Sequence, residues 1–576
     1  MKLNLQGGDV VITPFGLERG KLEKFPGLYK RGPYFFMPAE PRLVYNIVNR
    51  LKRKFESVEL DSGASMVYSA DFKLKPLPTD FKFFTKPKVF QEIALRYLYS
   101  CGGGGLLLEP GMGKTKIILD FIALMGFKKA CIICPLPLLF VWQEEQLIHR
   151  PDKSIHLVET TEWEDELSGI MAADIVVMNY AKAQIFAEKL FFLKFDFVGI
   201  DEALIKDPQS LRTKYITTLG TKISHRALMS GTLVNNTPLD MFAPVRFLEP
   251  VLVGTSYTKF KEEYAVLSKG GGEEGTHKFV VGFRKVPEIR SILDTVSIVM
   301  TKDEWLKLPP KKFIDVGVQI SDEQRDFYQS LQSNYIATTP EGDTVEFDNP
   351  LVALSKLIQV SNGFVYSSPE DESLQDLCAE GPKPKKKRSA KDRKTYFFKQ
   401  QPKLDSLQKL LTTTLKSRRG IIWFNMAAEY TLIHDRLKSL NIPFLSITGK
   451  DKNIGETIKE FNRNPNHLWL VCQARKVNYG VTVLGKDSDE AGIEAPVGVT
   501  PEVFTQVFYS MNFSLEMYLQ QQDRIHRIGQ EHDCEYYRLV ANTSAEKNII
   551  EKIDLKLDIR GQVLVDVFKR TGLKLV

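Results

Sequence analysis

Three stretches of this chain hold residues whose types and spacing could act on phosphate. In the first, Leu106-Leu107-Leu108 runs into Glu109-Pro110-Gly111-Met112-Gly113-Lys114-Thr115, followed by a helical pattern from Lys116 to Met125. A strand, a glycine-containing turn and a helix start make a phosphate cradle. Gly111 and Gly113 let the backbone approach the oxygens, and free N–H groups point at them. Glu109, Gly111, Met112, Gly113, Lys114 and Thr115 would line it, with Lys114 on the β- and γ-phosphates and the Thr115 hydroxyl on Mg2+. The full P-loop pattern has Gly where Leu108 stands, so the match is partial. The bland alternative is a chance Gly-Lys-Thr at a helix start.

The second stretch is an apolar strand, Phe197-Val198-Gly199-Ile200, ending in Asp201-Glu202-Ala203. A carboxylate at a strand tip beside a P-loop holds Mg2+ through water, which suits Asp201, and its neighbour Glu202 can polarise the attacking water as general base. An Asp-Glu pair after a strand is common by itself; its order after the cradle gives it weight. The third stretch, Gln520 to Gln530, carries Arg524 and Arg527 three residues apart, a spacing that predicts one helical turn aiming both the same way. An arginine crossing a cleft to a γ-phosphate stabilises transition-state charge. An exposed basic helix would carry the same spacing.

The elements that must position these residues are legible as apolar runs. Leu106 to Leu108, Ala130 to Cys134, Asp174 to Met178, Phe197 to Ile200 and Ala227 to Met229 read as buried strands, each followed by a loop and a helical stretch. That is the parallel α/β pattern. It returns at Gly420 to Phe424, Phe444 to Ile447, Trp469 to Cys472, Val507 to Tyr509 and Tyr536 to Val540. A length of 576 residues exceeds one hydrophobic core, so two such lobes are expected. Between them, Val251 to Lys399 is less regular and richer in helical periodicity, with a turn at Gly270-Gly271-Gly272. The basic, Pro-containing run Gly381 to Lys394 reads as a solvated linker, a DNA-facing loop or a nuclear-import signal. Residues Leu484 to Gln506 read as an acidic, Gly- and Pro-containing insertion.

Bulk properties set limits. The 78 basic residues against 71 acidic ones leave +7, which permits nucleic-acid binding through local patches without demanding it. Six cysteines are few for this length and suit a reducing compartment. Cys131-Ile132-Ile133-Cys134 has a zinc-like spacing, but it lies in an apolar run without a second pair and reads as core. Met1 to Gly8 lacks the apolar stretch of a signal peptide, and the longest apolar run, Ala130 to Trp142, is broken by Pro135 and Pro137. The expectation is a soluble protein with no membrane partner.

The ordered set of motifs resembles the Swi/Snf-type DNA translocases of helicase superfamily two. Phe90-Gln91 is similar to the adenine-reading Q element, and Pro135 with Trp142-Gln143-Glu144-Glu145 to the family's Pro…Trp-x-x-Glu segment. Asp201-Glu202-Ala203-Leu204, then Lys206, resembles the Walker B box; Ser230-Gly231-Thr232 with Asn236 resembles the third motif. Leu308-Pro309-Pro310-Lys311, Gln324 and Tyr328 are similar to the connector, and Gln473 to Val483 with Gly480 to the fifth motif. Asp523 to Gln530 is close to the family's most diagnostic string, and Glu546 and Lys556 fit its closing helices. The sequence departs from the pattern with Leu204 for His, Leu233 for Pro, Val299-Met300 for an Arg pair and Gln473-Ala474 for Ser-Thr.

The resemblance implies two RecA-like lobes of α/β fold with helical insertions and a small N-terminal accessory domain. Its boundaries would be residues 1–80 (accessory), 81–250 (first lobe), 251–400 (connector), 401–545 (second lobe) and 546–576 (closing helices). It implies a DNA-dependent ATPase using ATP and Mg2+, with catalytic Lys114, Asp201, Glu202, Arg524 and Arg527. Gln91, the cradle and Gly480 would bind nucleotide, and Thr115 and Asp201 would hold the metal. The expected partner is duplex or branched DNA, gripped by its backbone without regard to sequence by a monomer. Tyr34 to Pro38 followed by a basic helix from Val44 to Phe55 vaguely resembles HARP-type substrate domains, against the alternative of a structural cap. The expected location is the cytoplasm of a bacterial or phage-infected cell, or a nucleus if the 381–394 run is an import signal.

Overall fold

Strands buried on both faces must be apolar throughout, and in the computed structural model the predicted runs are such strands. The structure describes residues 2–6, 9–14, 29–31, 34–38, 48, 51, 58–61, 64, 74–205, 207–231, 237–269, 278–334, 336–339, 341–342, 344–346, 350–366, 394–449, 451, 453–477, 483–485, 496–555 and 557. The chain divides into two compact units, one holding Met1–Trp305 and the other Leu306–Ile559.

The first unit contains a seven-stranded parallel sheet. Its strands are β1 (Gly104–Leu108), β2 (Ala130–Cys134), β3 (Ile155–Leu157), β4 (Ile175–Asn179), β5 (Phe197–Asp201), β6 (His225–Ser230) and β7 (Ser297–Met300). They run in the order β7-β1-β6-β5-β2-β4-β3. Helices α1 (Val89–Cys101), α2 (Lys114–Leu124) and α3 (Leu139–His149) connect and cover them. A second sheet, built from Lys2–Gln6, Asp9–Thr13, Tyr29–Arg31, Tyr34–Pro38 and Glu59–Leu60, belongs to the same unit. Its Leu3, Val10, Ile12, Phe35 and Met37 join one continuous apolar core with Ile133 and Ile200. Of the expected basic helix over Val44 to Phe55, only Val48 and Leu51 are described, and both are helical and buried.

The second unit holds six parallel strands: β8 (Lys311–Val318), β9 (Arg419–Phe424), β10 (Phe444–Ile447), β11 (Trp469–Gln473), β12 (Val503–Phe508) and β13 (Cys534–Ala541). Their order is β8-β13-β12-β9-β11-β10. Both units are therefore α/β with a parallel sheet, as the apolar runs predict.

Several details differ from the sequence expectations. Helix α2 starts at Lys114, two residues before the apolar periodicity begins, because Gly113 in the left-handed region turns the chain directly into it. Strand β12 starts at Val503, so Val503 to Gln506 belong to the sheet rather than to an insertion; all four are buried between neighbouring strands. The irregular stretch after Val251 supplies an edge strand to each sheet, β7 beside β1 and β8 beside β13. Cys131 and Cys134 are free thiols buried within β2, and burial pushes the Cys131 thiol up to about 12. Gly270 to Gly272, residues 381–393 of the basic run and residues 486–495 of the expected insertion lie outside the described residues.

Candidate functional site

In the first sheet the cross-strand register brings the two phosphate-directed stretches together. Leu106 of β1 pairs with Met229 of β6, and Met229 pairs with Asp201 of β5. Two strand spacings thus separate Leu106 from Asp201, about 10 Å. Both strands release their loops at the same sheet edge, the C-terminal one where open α/β folds bind ligands.

The cradle is built by backbone geometry. Gly111 and Gly113 have φ of 84° and 75°, a region that favours glycine. Lys114 and Thr115 are the first residues of α2, so their N–H groups are among those without an intrahelical partner. The Lys114 ammonium folds back to donate to the Leu108 carbonyl at 2.9 Å. Gln91 braces the loop from α1: its Nε2 donates to the Met112 carbonyl at 3.2 Å, and its Oε1 accepts from the Lys88 N–H at 2.9 Å. Glu109 faces β7, its carboxylate accepting from the Lys302 N–H at 2.9 Å. A Cβ on Gly231 would come 3.4 Å from Pro110 Cδ, so the described start of the third motif lies against the cradle.

Asp201 is buried, and that burial pushes its carboxyl above the usual range, opposed by the nearby Lys114 charge and by a hydrogen bond from Trp142. The Trp142 indole Nε1 donates to Asp201 Oδ2 at 3.0 Å. Glu202 follows in the left-handed region at φ 48°, a conformation that costs a non-glycine residue about 1–2 kcal/mol. Among the described residues no group of three or more His, Cys, Asp or Glu is placed to hold a metal. One carboxylate and one hydroxyl fit Mg2+, which keeps several waters and takes its remaining oxygens from substrate phosphates.

In the second unit the string from Gln520 to Gln530 is buried despite its polarity, except at Ile528 and Gly529. Helix α4 (Leu515–Gln522) closes before either arginine, and turns carry the chain onward. The expectation that one helical turn aims both arginines together is therefore corrected. Arg524 is 1 % exposed, its Nε donating to the Gln520 carbonyl at 3.1 Å; Arg527 is 9 % exposed, its Nε donating to the Asp523 carbonyl at 2.6 Å. His526 Nε2 lies 2.9 Å from the Pro309 carbonyl, and Gln530 Nε2 donates to the Val503 and Ile525 carbonyls. Gln324 is buried and donates to the Val360 carbonyl at 2.6 Å, and the Tyr328 hydroxyl contacts Ser544 Oγ at 2.9 Å. A further buried network, not foreseen from sequence, joins Lys403 to Glu546 and to Asn362, Asn362 to Glu429, and Glu429 to Ser510. Gly480, Lys206, Thr232, Leu233, Asn236 and Lys556 lie outside the described residues.

The family model described as the SNF2-related domain matches residues 90–363, from the Q element into the second unit. Residues 90–363 are similar to an SNF2-related domain. The Swi/Snf-type assignment made from the motifs thus stands. The chain is 24% identical over 501 residues to chromodomain-helicase-DNA-binding protein 1 of Gallus gallus, an alignment spanning 82% of this chain and 26% of that protein. It is 23% identical over 475 residues to an uncharacterized ATP-dependent helicase of Mycoplasma genitalium, spanning 81% and 40%. The chain therefore spans about a quarter of the length of the first chromodomain-helicase relative. Among solved structures it is similar to the Sulfolobus solfataricus SWI2/SNF2 ATPase core in complex with dsDNA, at 18% identity and a TM-score of 0.37, covering 87% of this chain and 97% of that one. The family segment around Trp142 assigns that residue no role in the sequence; the hydrogen bond gives it one, as the donor to Asp201.

Proposed function

We propose that this chain is an ATP-dependent DNA translocase that hydrolyses ATP to move along duplex DNA and remodels branched DNA by fork regression, branch migration or unwinding. The observation that carries the reading is the placement of Lys114 and Asp201 at one edge of the first sheet, both buried and close enough for the Lys114 charge to act on the Asp201 carboxyl. Bound Mg2+ would neutralise charge developing on the phosphates. Lys114 and the α2 N–H groups would bind the β- and γ-phosphates, Thr115 and Asp201 would hold the metal, and Glu202 would take the proton of the attacking water. Gln91 and Gly480 would complete the nucleotide site. Arg527, with Arg524 beside it in sequence, would reach the γ-phosphate when the two units close on ATP. Alternating grip on phosphates by a monomer would then move the DNA, salt-sensitively and without sequence preference.

A second reading, a motor that displaces or slides proteins on duplex DNA, is favoured by the chromodomain-helicase relatives. The cytoplasm of a bacterial or phage-infected cell fits the first reading, and a nucleus fits the second if residues 381–394 act as an import signal.

The test is ATP hydrolysis measured side by side with no nucleic acid and with single-stranded, duplex, forked and four-way DNA. Stimulation by duplex and greater stimulation by forked or four-way DNA is expected. Hydrolysis indifferent to every nucleic acid would remove the translocase reading, and equal stimulation by linear and branched DNA would favour the protein-displacing motor.

A further inference from the structure

Tyr180 follows β4, with β2 lying between β4 and β5 in the sheet, yet its side chain reaches the turn that carries Glu202. It is 3 % exposed. Its hydroxyl proton is shared between the Glu202 carbonyl at 2.7 Å and the Asp201 carbonyl at 3.0 Å. The same oxygen accepts from the Leu204 N–H at 3.3 Å. One phenol therefore binds the backbone before, at and after Glu202, the residue whose φ of 48° lies outside the ordinary range for its type. Burial pushes the phenol well above its ordinary value, so it remains a donor across the neutral range. Arg212 packs over the ring, its guanidinium carbon 5.9 Å from the centroid, and the Asn179 side chain caps the helical turn that starts at Tyr180.

A left-handed residue next to a free turn has lower-energy conformations available, and each would swing the Glu202 carboxylate elsewhere. Here both carbonyls and the Leu204 N–H are fixed by one group from the start of another helix. We infer that Tyr180 is a positioning residue for hydrolysis, holding Glu202 in the conformation from which its carboxylate meets the attacking water. The inference rests on the hydrolytic reading above and adds a residue to it. Tyr180 touches no substrate; it acts through the backbone of Glu202.

The test uses the full chain with duplex DNA, under single-turnover conditions, for the wild type, Tyr180→Phe, Glu202→Gln and the double variant. Tyr180→Phe is expected to lower kcat roughly tenfold while leaving the KM for ATP within about twofold. In the Glu202→Gln background the same change should alter the residual rate by less than about twofold, because the group being positioned is already gone. Wild-type kcat in Tyr180→Phe, a raised KM instead of a lowered kcat, or an equal loss in both backgrounds would overturn the assignment. A wild type that hydrolyses no ATP would instead remove the hydrolytic reading beneath it. Should the phenylalanine variant fold poorly, 4-aminophenylalanine placed at 180 keeps a hydrogen-bond donor at the same position. It should hold kcat within about threefold of the wild type, and a roughly tenfold loss there would sink the inference.

Discussion

The indole of Trp142 donates to the carboxylate of Asp201 across 3.0 Å, between residues 59 apart in sequence. Trp142 is fully buried in α3 and Asp201 ends β5, so the hydrogen bond fixes one carboxylate oxygen of Asp201. A hydrogen bond to a charged group contributes about 1.5–3 kcal/mol. Trp142→Phe should therefore raise the Mg2+ concentration needed for half-maximal hydrolysis by roughly tenfold or more. A Mg2+ titration of ATPase rate reads this directly, and an unshifted midpoint would mean that Asp201 is oriented by other groups.

Lys114 and Glu202 should fail in different ways. Lys114→Ala removes the cation that meets the phosphates, so both nucleotide binding and hydrolysis should be lost. Glu202→Gln keeps the cradle and should bind ATP with near-normal affinity while turnover falls on the order of a thousandfold, to a residual rate that single-turnover assays still read. Fluorescent-nucleotide binding beside steady-state ATPase separates the two.

Arg524 and Arg527 also divide by burial. Arg527 is the more accessible, and Arg527→Ala should cut kcat on the order of a thousandfold with little change in melting temperature. Arg524 is 1 % exposed and tied to the Gln520 carbonyl, so Arg524→Ala should also lower the melting temperature. Circular-dichroism melts paired with kcat measurements test this, and equal destabilisation by both would contradict it.

Lys403 and Glu546 form a buried ion pair further tied to Asn362 and to the Ala541 N–H. Removing either partner leaves the other charge without its counter-ion in the core, at a cost of about 3–5 kcal/mol. Urea denaturation of Lys403→Met and of Glu546→Gln should show that loss in each.

Native thiol labelling provides a check on the core. Among the described cysteines Cys101 is exposed, whereas Cys131, Cys134, Cys472 and Cys534 are buried, and Cys131 ionises only at about 12. Iodoacetamide at neutral pH should modify Cys101 and reach the buried four only after denaturation, as peptide mapping would show.

How much was legible in advance follows from how local each feature is. Strands β2, β5 and β9 could be read from sequence because a parallel strand buried on both faces is an uninterrupted apolar run. The cradle was legible because its glycines, lysine and threonine are contiguous. The apolar pattern places the start of α2 two residues late, since periodicity is silent about the polar Lys114 and Thr115. Val503 to Gln506 were misassigned because Thr505 and Gln506 are polar, yet Gln506 is buried with its amide bound to Trp423 and the Gln521 carbonyl.

The sequence by itself determined the class of fold, the order of the motifs and the kinds of group brought to a phosphate, because each is written in neighbouring residues. Only the tertiary structure decided that β7 borders β1, that Trp142 and Tyr180 both converge on the Asp201–Glu202 turn, and that Arg524 and Arg527 lie beyond a helix end. Those relationships depend on strand order and on hydrogen bonds closed across long stretches of chain, and no local pattern of residue types encodes them.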